Sequence, residues 1–129
     1  MARVLILCCL LVVVALSADA APQDRLENIN VDEVLSNRRL LRTYVQCILD
    51  DGDGRCTKEG KELKKALPRM VETGCNDCSP KQVENGVKVI KHMTENYPEE
   101  WAQMKAKYDP TGEFSKKHAD TWKQRGVTF

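Results

Sequence analysis

Four cysteines most constrain what this chain can fold into. They stand at Cys47, Cys56, Cys75 and Cys78, a C-x8-C-x18-C-x2-C frame, and the eighteen residues between the two pairs have helical character. Four cysteines admit three pairings. The nearest-neighbour pairing, Cys47 with Cys56 and Cys75 with Cys78, is expected because each partner is the closest in sequence. It closes rings of ten and four residues on either side of one helical segment. Chain entropy assigns each ring roughly 2–3 kcal/mol at most. Rings this small pin turns between helices and do not tie distant parts of the chain together.

Such a frame needs an oxidising compartment, and the first residues address the chain to one. Arg3 precedes an unbroken apolar run over residues 4–16, and Ala18-Asp19-Ala20 puts small residues where a signal peptidase reads them. The run of 13 residues falls short of the ~20 that span a bilayer. Residues 1–20 are therefore expected to be a signal peptide, cleaved after Ala20, with Ser17 as the fallback. Cys8 and Cys9 leave with it, and the four remaining cysteines become disulfides in a secreted, extracellular protein. No other stretch is long and apolar enough to cross a membrane. Removing 20 of the 129 residues leaves 109, residues 21–129, the size of a single domain with a core of its own. Without Arg3 and Asp19, 19 basic residues face 18 acidic ones. That balance supplies no electrostatic reason to expect nucleic acid or an anionic membrane as partner.

Along the chain the apolar residues recur at helical, not strand, spacing. Asn30 caps a short helix to Ser36, and Asn37 caps the next, whose Leu41, Tyr44, Val45 and Ile48 share one face that Leu40 and Leu49 widen. Asp50-Asp51-Gly52-Asp53-Gly54 ends it in a turn. Thr57 caps a third helix with Leu63, Ala66, Leu67, Met70 and Val71 inward, which Pro68 is expected to divide and Gly74 to stop. Ser79-Pro80 opens a long helix to about Asn96, with Val83, Val87, Ile90 and Met93 inward and Gly86 leaving room on the same face. Pro98-Glu99-Glu100 starts a fifth, striped by Trp101, Met104 and Tyr108. After the turn Asp109-Pro110-Thr111-Gly112, a sixth is expected from about Glu113 to Gln124. The fold class is all-α, about six helices.

The motifs that could carry chemistry mostly have plainer explanations. Aligning Gly54 with the glycine of an EF-hand loop puts Leu49 and Gly60 at ligand positions, where oxygen donors are required, so no metal is expected there. Cys75-Asn76-Asp77-Cys78 follows no strand and lies in a secreted chain, so a structural disulfide explains it better than a redox or zinc motif. His92 and His118 suit surface or packing roles, Glu99 and Glu100 suit a helix start, and no nucleophile, zinc or phosphate-loop motif is present. The expectation is a protein that is not an enzyme and holds no cofactor. What remains is the set of apolar faces. Such stripes usually just make a core, but a small secreted helical domain, stapled only at turns and furnished with methionines, can also enclose an apolar cavity.

Particular stretches carry a resemblance. They are Asn28-Ile29-Asn30-Val31-Asp32-Glu33-Val34-Leu35, Asn37-Arg38-Arg39-Leu40-Leu41, Tyr44-Val45-Gln46-Cys47-Ile48-Leu49-Asp50, Gly60-Lys61-Glu62-Leu63-Lys64, the Leu67-Pro68 step, the Cys75–Cys78 pair, Lys81-Gln82, Trp101 and Lys107-Tyr108-Asp109-Pro110-Thr111-Gly112. Over residues 26–126 the sequence resembles the insect chemosensory proteins, the family also called olfactory-segment-D-like. It departs from the commonest family pattern in having eight residues, not six, between the first two cysteines. The resemblance implies six helices around a hydrophobic channel and disulfides between neighbouring cysteines. It also implies non-covalent binding of long-chain fatty acids, alcohols, esters and pheromone- or odorant-like compounds by a protein of sensory lymph or haemolymph. It places Tyr44 and Trp101 at the cavity or its rim.

The expected occupant is thus a small hydrophobic ligand carried by a monomer that is not embedded in a membrane. The rival reading is a structural or signalling protein that acts through its surface in development or defence. The expected cavity wall comprises Leu41, Tyr44, Val45 and Ile48, then Leu63, Leu67 and Val71, then Val83, Val87 and Ile90, then Trp101 and Tyr108. Trp122, near the chain end, is expected to lie farther from a bound alkyl chain.

Overall fold

The computed structural model describes residues 26–52 and 54–129. The expected signal peptide, residues 1–20, and Asp53 of the acidic turn lie outside the described residues. Within them the chain forms α1 (Val31–Ser36), α2 (Arg38–Leu49), α3 (Lys58–Thr73), α4 (Pro80–Asn96), α5 (Pro98–Tyr108), α6 (Glu113–Lys117) and α7 (Ala119–Gln124), with no strand.

Most helix starts carry the caps that the sequence announces. Asn30 Oδ1 accepts the Glu33 N–H at 3.1 Å, Asn37 Oδ1 the Leu40 N–H at 3.1 Å, and Thr57 Oγ1 the Gly60 N–H at 3.1 Å. Ser79 and Gln82 form a reciprocal capping box. At α6 the N-cap residue is Gly112, which brings no side chain, so Asp109 reaches forward instead. Its carboxylate accepts the Phe114 N–H at 3.1 Å and the Ser115 N–H at 2.9 Å. α3 ends in a Schellman arrangement: Gly74 sits at φ +62°, and the Cys75 N–H donates to the Met70 carbonyl at 2.8 Å.

Two expectations about helix continuity are corrected. Pro68 does not divide α3, which runs unbroken through it. Pro68 is exposed, so its missing N–H forfeits one backbone bond, to the Lys64 carbonyl, on a face that water reaches. The expected last helix is two, α6 and α7, separated at His118. At that break the imidazole packs against Gly74, and Nε2–H donates to the Glu72 carbonyl at 2.8 Å.

Both disulfides follow the nearest-neighbour pairing. Cys47–Cys56 joins the end of α2 to the start of α3, and Cys75–Cys78 joins the end of α3 to the start of α4. The acidic turn inside the first ring is held by lysines. Lys64 donates to the Asp50 and Gly52 carbonyls, and Lys107 to those of Leu49 and Asp50.

The packing order explains why the centre is hollow. α1 packs on α2 and α4, α4 on α5, and α5 on α2, which closes a ring of four helices. Leu41, Val45 and Met93 are buried inside that ring, against Val34, Leu35, Val89, Tyr97, Trp101 and Met104. α3 packs on α2, α5 and α6 but not on α4, its successor in the chain. The space between α3 and α4 is left to the cavity.

Candidate functional site

The cavity has a volume of about 280 Å3. α1 contributes Val31, Val34 and Leu35, preceded by Leu26 and Ile29. α2 contributes Leu41, Tyr44, Val45 and Ile48, and α3 contributes Leu63, Leu67, Met70 and Val71, with Cys75 just beyond. The opposite wall is Gln82, Asn85, Gly86, Val89, Ile90 and Met93 of α4. α5 adds Trp101, Met104, Lys105 and Tyr108, followed by Asp109, and the rest comes from Phe114, Ser115, Trp122 and Phe129. Leu63, Leu67, Val71 and Ile90 are only half-buried although they point inward. Surface that would meet other side chains in a solid core borders empty space here.

The polar groups on this wall are largely committed to the protein itself. The Gln82 Oε1 accepts the Ser79 N–H at 3.0 Å. The Tyr108 hydroxyl donates to the Ile48 carbonyl at 3.2 Å, and its burial raises the phenol above its ordinary pKa. Asp109 is buried, and the Ser115 hydroxyl donates to it at 2.5 Å in addition to its two backbone donors. Burial pushes this carboxyl up. The Ser115 hydroxyl and N–H, the Phe114 N–H and the Lys105 charge together outweigh it and hold the group below the usual carboxylate range. Among the described residues no buried side-chain nitrogen or oxygen lacks a partner. An interior with such a wall offers dispersion and dehydration, and few uncommitted hydrogen bonds.

One end of the cavity is aromatic. The Phe129 ring stacks on Trp101 with centroids 6.2 Å apart and planes 4° apart, and meets Trp122 edge-on at 6.2 Å. The chain returns there through Gly126 at φ +88° and the buried Val127, whose N–H donates to the Trp122 carbonyl at 2.9 Å. Phe129 is 49% exposed, so this end lies next to solvent.

Ten of the twelve expected wall positions are brought together: Leu41, Tyr44, Val45, Ile48, Leu63, Leu67, Val71, Ile90, Trp101 and Tyr108. Val83 and Val87 are not on the wall. Each follows a wall residue, Gln82 or Gly86, by one position, and one residue turns a helix by about 100°. The aliphatic side chains Val83 and Val87 of α4 mark a neighbouring face. The helix instead turns Gln82, Asn85 and Gly86 inward, and the capping box occupies the Gln82 amide oxygen. Gly86 leaves the room that the sequence implies, since a Cβ built on it would meet nothing within 4 Å. The space is open and belongs to the cavity. Trp122 is a second correction, since it lines the cavity together with Trp101. Val31, Val34 and Leu35, spaced three and one apart, were legible as a stripe and not assigned to the wall. Phe129 carries no periodic signal.

Residues 23–116 match the sequence profile of the insect pheromone-binding family, A10/OS-D. Ejaculatory bulb-specific protein 3 of Drosophila melanogaster is 43% identical over 114 residues, which cover 88% of this chain and 89% of that protein. A chemosensory protein solved in complex with bromo-dodecanol is 45% identical, with a TM-score of 0.66 over 76% of this chain and 96% of its own. Antennal chemosensory protein A6 from the moth Mamestra brassicae is 44% identical, with a TM-score of 0.62 over 78% of this chain and 97% of its own.

Proposed function

The chain belongs to the insect pheromone-binding family A10/OS-D, and on that footing we propose that it is a carrier of small hydrophobic molecules, held non-covalently between α3 and α4. The observation that carries this reading is the cavity of about 280 Å3 with an almost wholly aliphatic and aromatic wall. An alkyl chain entering it leaves water at ~0.8 kcal/mol per CH2, or about 10 kcal/mol for twelve carbons. Association costs of at least ~4 kcal/mol leave dissociation constants on the order of tens of micromolar at the tightest. The solved relative that holds bromo-dodecanol supports a ligand of this class. In this reading residues 21–129 form one secreted, extracellular domain that works as a monomer and catalyses nothing. The binding residues are those of the expected wall that border the cavity, joined by Met70, Val89, Met93 and Trp122. No helix among the described residues is long and apolar enough to cross a membrane.

The test is displacement of a fluorescent hydrophobic probe, N-phenyl-1-naphthylamine, by dodecan-1-ol. Stoichiometric probe binding, reversed by the alcohol, is expected. A folded protein that takes up neither probe nor alcohol would overturn the carrier reading and leave a protein that acts through its surface.

A further inference from the structure

The alkyl tail of a ligand cannot explain a preference among head groups, because an acid and an alcohol of equal length bury the same chain. The polar residues on the wall decide that. Gln82 is tied to its capping box, Tyr108 to the Ile48 carbonyl, and Ser115 to Asp109. Asp109 is the single anion on the wall; the Lys105 charge acts on it, but its oxygens are turned onto the start of α6, where they accept their hydrogen bonds. Tyr44 and Asn85 are neutral and serve either head group. Lys105 alone among the lining residues is a cation.

Its setting is unlike that of the paired lysines Lys64, Lys88 and Lys107. Lys105 is half-buried, one turn from Trp101 on α5, and its ammonium lies 5.8 Å from the centroid of the Phe129 ring. It forms no hydrogen bond or ion pair with the described residues, whereas Lys64, Lys88 and Lys107 all do. The same Phe129 ring lines the cavity and is 49% exposed. A cation therefore stands where the apolar interior meets solvent, with the Phe129 ring beside it.

Resting on the carrier reading, we propose that Lys105 is the head-group determinant and that the preferred cargo is a long-chain carboxylate. The tail lies between α3 and α4, and the carboxylate meets the Lys105 ammonium beside Trp101 and Phe129. A carboxylate loses more than a hydroxyl on leaving water, so an apolar cavity without a cation favours the alcohol. A half-buried ammonium with a donor to spare reverses that order, because a charge-assisted hydrogen bond is stronger than a neutral one.

The test titrates N-phenyl-1-naphthylamine-loaded protein with dodecanoate and with dodecan-1-ol, below their aggregation thresholds, in mildly alkaline buffer. The wild type should bind dodecanoate about tenfold more tightly. Lys105→Met keeps the aliphatic stem and should reverse the order, weakening dodecanoate far more than dodecan-1-ol. Lys105→Arg should retain the preference for the acid. Equal affinities in the wild type, or an equal loss of both ligands in a folded Lys105→Met, would overturn the assignment and leave the carrier reading standing. Displacement by neither ligand would remove the carrier reading and this inference with it.

Discussion

Gly86 is the position at which a hollow interior and a solid core predict opposite outcomes. It lies within α4, on the cavity wall, and a Cβ added there would meet nothing within 4 Å. Alanine is better than glycine in a helix interior by about 0.8–1.0 kcal/mol. With no clash to set against that, Gly86→Ala should stabilise the protein by about 1 kcal/mol and raise Tm by roughly 4 °C for a domain of this size. In a solid core the same methyl would be overpacked and would cost about 1–3 kcal/mol. Gly86→Leu extends the test to binding. Its four side-chain carbons would take space from about four ligand methylenes, which at ~0.8 kcal/mol each is roughly 3 kcal/mol, or about two orders of magnitude in affinity. Long chains should suffer most, and the optimum should move to alcohols about four carbons shorter. The assays are thermal melts by circular dichroism and probe displacement across the series from octanol to octadecanol. A destabilised Gly86→Ala, or a folded Gly86→Leu with unchanged chain-length preference, would refute the claim that Gly86 faces empty space.

Three further outcomes are expected. Gly74→Ala forces a side chain onto a residue at φ +62° and puts its Cβ 2.6 Å from the His118 ring, so it should cost about 2 kcal/mol or more in a urea melt. The Asp109 carboxyl, held below its usual range in the folded state, stabilises fully above the ordinary value of about 3.9 and loses that contribution as pH falls through its lower folded value. Asp109→Asn should therefore be less stable at neutral pH by about 1–3 kcal/mol, and should lose less stability than wild type when melts are repeated in acid. Because Trp101 and Trp122 both line the cavity, Trp101→Phe and Trp122→Phe should each keep a ligand-induced change in tryptophan emission. A response that disappears with either residue alone would contradict the placement of the other.

The helices were legible because their ends are written in local chemistry. Asn30, Asn37, Thr57 and Ser79 each hold the N–H three residues on, and that contact needs nothing from the rest of the chain. The cysteine pairs were legible for the same reason. The wall was harder to read where facing depends on neighbours far away in sequence. In α2 the apolar side chains are also the inward ones, so Leu41, Tyr44, Val45 and Ile48 could be named directly. In α4 the valines at 83 and 87 outweigh the local signal of Gln82 and Gly86, although the latter two face the cavity. Only the packing of α4 on α1 and α5 decides its rotation. Trp122 and Phe129 were missed because no periodicity shows a chain folding back. The left-handed turn at Gly126 and the burial of Val127 bring Phe129 to Trp101.

The placement of the disulfides bears on what such a cavity can hold. Both rings sit at the ends of α3, where they fix its entry and exit. Neither ties α3 to α4 across the hollow, and those two helices are not closely packed along their lengths. The cross-links thus constrain the chain at two turns and leave the separation of the walls to side-chain packing. About 280 Å3 lies just below the range of about 300–1,000 Å3 that ligand sites commonly span. A long alkyl chain therefore asks the walls to part or the side chains to rearrange. Met70, Met93 and Met104 line the interior, and unbranched thioethers change shape at low cost. Phe129, half-exposed and stacked on Trp101, can leave the open end without breaking a backbone hydrogen bond of any helix. A solid core with the same helices would gain stability and lose this freedom. The glycine at 86, the methionines and the disulfides confined to turns all act in the opposite direction, trading close packing for an interior that a ligand completes.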